Sequence, residues 1–222
     1  MKRTFQIIIV LSILLFNTIL IFGQEKLIEK NQYSETIDKG YEHLKEKPFR
    51  AVFTSEFFND RNSTSTVMWK SIREFVPPDR HRWLNERDGE KEETIEIGPR
   101  EYYKINNGEW KEGREPISSG IGSGVGSASV EYESYKLYEN VKLDGKKVNL
   151  YEMVKRLTEF STRNDGDEIW TRKTWIGKDG LIIKVQEEYE TVGKKSFRRQ
   201  TTIYEYDSKI KIEAPKISLK KS

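Results

Sequence analysis

Trp175-Ile176-Gly177-Lys178-Asp179-Gly180-Leu181 opens the stretch that decides the fold. Beyond it Leu181, Ile183, Val185 and Tyr189 alternate with Lys184, Gln186, Glu188 and Glu190. Gly193 then breaks the run, Thr201 to Tyr206 resumes it with Tyr204 and Tyr206 on one face, and Ile210-Lys211-Ile212-Glu213-Ala214-Pro215 ends it. A period of two punctuated by Asp-Gly and Gly is the pattern of antiparallel strands joined by tight turns. This block is a β-meander.

The same period runs upstream. Phe49, Ala51, Phe53, Ser55 and Phe57 share one strand face, and Asn59-Asp60-Arg61-Asn62 turns the chain. Thr64 to Val76 carries Val67, Trp69, Ile72 and Phe75, and Pro77-Pro78-Asp79 ends that strand. Arg80 to Glu86, Thr94 to Ile97, Glu101 to Ile105, Tyr135 to Leu143, Val148 to Phe160 and Glu168 to Ile176 follow, with turns at Asp88-Gly89, Gly98-Pro99, Asn107-Gly108 and Asp144-Gly145. Strands at this spacing predict a mainly β chain of about ten or eleven strands. A sheet that wide curls into a half-barrel with a concave face. One helix is predicted, over residues 25–46. There Leu27, Ile28, Tyr33, Ile37, Tyr41 and Leu44 recur at threes and fours, Gly40 weakens the middle by about 1 kcal/mol relative to Ala, and Pro48 closes the segment. It is expected to pack on the concave face.

Met1-Lys2-Arg3, the apolar run Ile7 to Phe22 and the small Gly23 before Gln24 have the layout of a secretory signal peptide. The expected organisation is therefore a leader at 1–23, one domain at 24–215 and a frayed basic tail at 216–222, with the protein exported to the periplasm. The alternative is an uncleaved anchor through residues 5–22, because the apolar run approaches the ~20 residues of a membrane span. Leu20-Ile21-Phe22-Gly23 resembles the approach to a lipoprotein processing site, but position 24 is Gln and the chain has no cysteine. Thioether lipidation, disulfides, thiolate metal sites and thiol nucleophiles are all excluded with it.

Removing the leader leaves 37 basic and 36 acidic residues. So even a balance implies a mixed, solvated surface and no nucleic-acid footprint. His43 and His81 are the only histidines and have no paired spacing, so no side-chain metal site is expected. No Gly-x-Ser-x-Gly elbow is present, and no catalytic residue and no cofactor is assigned. The small-residue stretch Ser118 to Ser127 does not match a phosphate loop and no helix pattern follows it. It reads as a surface loop or as a lid. The acidic runs around Glu90–Glu96 and Glu187–Glu190 read as solvated strand faces.

The aromatics carry the functional reading. Phe53, Trp69, Trp83, Tyr103, Trp110, Trp170 and Trp175 all fall in or beside predicted strands. They either fill a core by cross-strand pairing or line an apolar cavity. Arg80, Arg82 and Arg172 are placed to meet acidic head groups at a cavity edge.

The block from Trp170 to Pro215 resembles the end of the bacterial outer-membrane lipoprotein carrier (LolA-like) superfamily. The residues concerned are Trp175-Ile176, Lys178-Asp179-Gly180-Leu181, Lys184 and Tyr204-Glu205-Tyr206-Asp207 before Ile210 to Pro215. Pro77-Pro78-Asp79-Arg80-His81-Arg82, Glu93 to Gly98, Tyr103 and Trp110 fit the same pattern. The resemblance implies a half-barrel with a hydrophobic cavity for acyl chains of lipids or lipoproteins, and no catalysis. The carrier family has a helical lid midway, where this chain has its Gly/Ser stretch, and no residue maps onto the carrier's release-controlling arginine. The expected function is thus a monomeric, non-catalytic binding protein for a lipid or acylated ligand. The alternative is an envelope sensor or protein-interaction module of the same fold, with a filled core and a protein partner.

Overall fold

The structure, a computed structural model, describes residues 25–87, 89–113, 129–158 and 166–217. The expected leader, the stretch 118–127 and the end of the tail at 218–222 lie outside the described residues. Twelve strands form one antiparallel sheet. They are β1 (Glu25–Leu27), β2 (Phe49–Phe58), β3 (Thr66–Val76), β4 (Arg80–Arg87), β5 (Glu90–Ile97), β6 (Arg100–Ile105) and β7 (Lys111–Glu112) in the first half. The second half holds β8 (Ser129–Leu143), β9 (Lys146–Thr158), β10 (Glu168–Ile176), β11 (Ile182–Thr191) and β12 (Phe197–Tyr206). One helix, α1 (Lys30–Leu44), lies between β1 and β2. The sheet order is β1-β8-β9-β10-β11-β12-β2-β3-β4-β5-β6-β7. The sheet is a curled half-barrel that does not close: its two edges are the three-residue β1 and the two-residue β7.

Twelve strands replace the expected ten or eleven, and the difference lies at those two edges. Residues 25–27 continue the apolar spacing of the helix, yet they pair with β8, Glu25 opposite Tyr138 and Leu27 opposite Lys136. The helix therefore starts at Lys30, not at residue 25. A hydrogen-bonded ladder with β8 outcompetes about one extra helical turn, although Leu27 stays 72% exposed in the strand.

Two meanders, β2 to β7 and β8 to β12, meet along one seam. There β12 pairs with β2 over ten residues, from Phe197 opposite Phe58 to Tyr206 opposite Phe49. The helix lies across this seam on the inner face. Its buried residues Tyr33, Ile37, Gly40 and Leu44 form one stripe. Tyr33 and Ile37 pack with Tyr135, Leu137, Tyr151, Met153, Ile176, Ile182 and Val185. Leu44 packs with Phe49, Ala51 and Phe75 on the other meander. A bulge at Trp175/Ile176 sets Ile176 opposite Ile182, so Ile182 and Val185 both join the inner core despite the odd spacing. The Lys178-Asp179-Gly180 turn docks on the helix end. Gly180 has φ +79°, and its carbonyl lies 3.3 Å from His43 Nδ1.

The outer face is held by charge. Arg50, Glu74, Arg82, Glu93 and Lys104 form an alternating ladder across β2 to β6, with contacts of 2.6 Å for Arg50–Glu74, 2.6 Å for Arg82–Glu93 and 2.7 Å for Lys104–Glu93. Glu74 and Glu93 are buried. On the same face Ile212, from the segment after β12, fills a small core with Ile95 and Tyr102, and Ile217 and Trp110 pack against it.

The close helix–sheet approach explains Gly40. A Cβ there would sit 2.9 Å from Cγ1 of Ile182, which is fully buried and has no room to give. Gly40→Ala is expected to destabilise by about 1 kcal/mol in urea unfolding, since overpacking outweighs the gain in helix propensity. Combined with Ile182→Ala, the two changes are expected to couple strongly and not to add. For the ladder, burial pushes the Glu93 carboxyl up, and hydrogen bonds from Lys104 and Arg82 outweigh it and hold the group below the ordinary range. Its contribution is thus present above the unfolded pKa and lost as pH falls through the lowered folded value. Glu93→Gln is expected to cost about 1 kcal/mol at pH 7, because the partners are partly exposed, and the two proteins' unfolding midpoints are expected to converge in acid.

Candidate functional site

Opposed residues in an antiparallel ladder share a face, so the register sorts every side chain. Phe49, Ala51, Phe53 and Ser55 of β2 face inward with α1. Opposite them stand Phe75, Arg73, Ser71 and Trp69 of β3. Arg73 opposes Trp83 of β4, which opposes Thr94 of β5, which opposes Tyr103 of β6. On the other side of the seam Ala51 opposes Tyr204 of β12, and Phe53 opposes Thr202.

Where α1 ends, this inner face opens into a groove of about 500 Å³. Its walls are Tyr41 and Leu44 of the helix and inward side chains of β12, β2, β3 and β4, with Phe53, Trp69 and Trp83 as its main apolar surfaces. Phe53 and Trp69 meet edge to face at 5.0 Å. Trp83 stacks on His81 at 5.1 Å, and His81 lies against Phe75 at 4.8 Å. Ser71 donates to Asn85 Oδ1 at 2.8 Å. The volume lies within the range of small-molecule sites, and the lining of aromatic rings with a few polar groups is that of a ligand pocket.

Of the seven aromatics expected to line a cavity, Phe53, Trp69 and Trp83 come together at the groove. Tyr103 faces inward beyond it, under Lys111 at 5.6 Å. Trp170 also faces inward but stacks on Tyr189 at 6.1 Å and packs on the core under the helix. Trp110 and Trp175 are on the outer face, each under a lysine: Lys104 lies 4.7 Å from Trp110 and Lys184 lies 4.8 Å from Trp175. Among the expected head-group arginines, Arg80 and Arg82 point outward as well. Arg80 donates to the Ile212 carbonyl at 3.0 Å, and Arg82 belongs to the charge ladder. Arg172 faces inward and donates to the Tyr41 hydroxyl.

Arg73, Tyr41 and Tyr204 escaped the sequence reading. Arg73 was findable, because it shares parity with Trp69 and Phe75 on one strand. Its Nη2 lies 3.4 Å from His81 Nδ1, and its guanidinium lies 5.6 Å from the Trp83 ring. Burial and the Arg73 charge both hold the His81 imidazole below its ordinary value, so it is neutral at pH 7 and accepts from Arg73. Burial pushes the Tyr204 phenol up to about 12 and raises that of Tyr41, so both stay protonated. Among the described residues no group of His, Asp and Glu is arranged to hold a metal ion, and no helix is long and apolar enough to cross a membrane.

No family model matches the chain, and no curated protein does. Among solved structures, the chain is similar to the Mycobacterium tuberculosis lipoprotein LppX, at 10% identity and a TM-score of 0.39, over 83% of this chain and 100% of that one. It is similar to a LolA superfamily protein from Nitrosomonas europaea at 8% identity and a TM-score of 0.29, over 78% and 91% of the two chains. A DUF1329 family protein from Desulfovibrio piger is similar at 12% identity and a TM-score of 0.29, over 82% and 94%.

The aromatic lining makes the groove its own reporter. Trp69 and Trp83 flank it, whereas Trp110, Trp170 and Trp175 lie elsewhere. An apolar quencher that enters the groove is expected to quench the intrinsic fluorescence only in part, and Trp69→Phe with Trp83→Phe is expected to remove the quenchable fraction.

Proposed function

We propose that this chain is an exported, non-catalytic binding protein that holds the acyl chain of a lipid or acylated ligand in the inner-face groove. The observation that carries the reading is the open groove of about 500 Å³ faced by Phe53, Trp69 and Trp83. A twelve-stranded sheet has more inner face than one fifteen-residue helix covers. Apolar surface left open in this way marks a binding site. Each methylene moved from water onto such a surface contributes roughly 0.8 kcal/mol, so the length of chain the groove covers sets how tightly it is held. The reading includes export through residues 1–23, removed before Gln24, to the periplasm.

A second reading, a module that binds a protein partner, is favoured by three exposed apolar side chains where β2 ends and β3 begins. Phe57, Val67 and Met68 are 39%, 58% and 52% exposed, and the bulge at Ser55/Glu56 leaves Met68 unpaired beside them.

The mature domain, purified without detergent, is expected to release lipid into organic solvent, detected by mass spectrometry. Ser71→Phe fills the groove from its floor. It is expected to weaken binding of an acyl fluorophore by about tenfold or more while the unfolding midpoint changes little. A domain that carries no lipid and binds no acyl fluorophore sinks the acyl-holding reading and leaves the partner module. Intact mass of the exported protein, expected to begin at Gln24, checks the leader.

A further inference from the structure

We infer that the groove takes an amphipathic molecule with a single acyl chain and an anionic head, an oxyanion of carboxylate or phosphate type, and that Arg73 anchors the head. The inference rests on the acyl-holding reading above and names its ligand class.

The argument is one of charge. On the outer face Arg50 is matched by Glu74, and Arg82 by Glu74 and Glu93. On the inner face Arg172 has Glu187 at 3.7 Å. Arg73 differs. Its neighbours are the neutral His81 ring and the Trp83 face, and among the described residues no carboxylate pairs with it. These two contacts use one N–H and one face of the guanidinium, and they aim the rest of it along the groove wall. The chain's charge is otherwise almost balanced, so a cation left without an acid beside an apolar surface is complementary to an anion. A guanidinium offers two parallel donors to an oxyanion, which a neutral ligand leaves unused.

The surroundings fit a head at this point and a chain beyond it. Tyr204 stands across the seam strand from Arg73, and Tyr41 holds Arg172 behind it. Both phenols are protonated, which makes this end of the groove polar. Glu187 offsets Arg172. The polar character continues under the helix, where the Arg172 Nε, Thr174 hydroxyl and Trp170 Nε1, on successive inward positions of β10, are buried without a hydrogen-bond partner. In the opposite direction from Arg73, Ser71 and Trp69 follow on the same face of β3, beside Phe53. The surface turns apolar and leads along the inner face of β2 to the exposed Phe57.

The test uses the mature domain with three sixteen-carbon probes of equal chain: hexadecanoate, hexadecyl phosphate and hexadecanol. Each displaces a bound acyl fluorophore. Both anions are expected to bind at least about tenfold more tightly than the alcohol, the worth of a charge-assisted hydrogen-bonded pair. The anion-to-alcohol ratio is expected to collapse toward one in Arg73→Gln, to survive in part in Arg73→Lys, and to narrow in the wild type as salt is raised. Which anion binds more tightly assigns the head as carboxylate or phosphate. Equal binding of all three probes to the wild type, or a ratio unchanged by Arg73→Gln, overturns the inference while the acyl-holding reading stands. A groove that takes none of the probes overturns both.

Discussion

The pairing of β12 with β2 is the contact on which the rest of the molecule depends. Ten residues near one end of the domain meet ten near the other, Phe49–Phe58 against Phe197–Tyr206. Each meander forms from short turns, but neither by itself has an inner face wide enough to curl around a helix. The seam joins them, and α1 lies across the join with Ile37 on one half and Leu44 on the other. Closing so long a loop costs chain entropy, and burial of the helix stripe Tyr33, Ile37, Gly40 and Leu44 helps to offset it. The helix therefore acts as a clamp, and Gly40 sets how closely it can approach Ile182.

The two faces of the sheet divide the labour. On the outer face, charges alternate from strand to strand, and the segment 207–217 covers the apolar remainder around Ile95 and Tyr102. That face is satisfied by its own residues. The inner face is covered at one end by the helix and left open at the other, where rings and one unmatched guanidinium are exposed to whatever enters. A site arises here because covering elements run out, without any motif of reactive groups.

Much of the fold was legible because strand periodicity and turn chemistry are local. Glu168–Ile176 and the strand carrying Phe49, Ala51, Phe53 and Ser55 were readable from alternation, and the turns at Asp179-Gly180 and Asn59 to Asn62 marked their ends. The misreading at residues 25–27 shows the limit. Leu27 and Ile28 fit the helical period, but the competing partner, β8, lies more than a hundred residues away. The small β7 was missed for a similar reason, since a two-residue ladder leaves no period to detect. Within the candidate site, aromatic residues were identified as a class, but the face of each was not. Trp170 and Trp175 differ by an odd step on one strand, which places them on opposite faces of the sheet, and only the pairing register shows which face is the inner one.

The sequence by itself determined the class of fold, the lack of thiol chemistry and the supply of rings for an apolar surface. These are properties of composition and of spacing within a few residues. The tertiary structure decided which rings meet, that Arg80 and Arg82 turn outward into contacts of their own, and that Arg73 stands in the groove without an acid. Such matters depend on the β2–β12 register and on how far the helix reaches across the sheet. Both are set by contacts between residues far apart in the chain, and a local pattern carries no record of them.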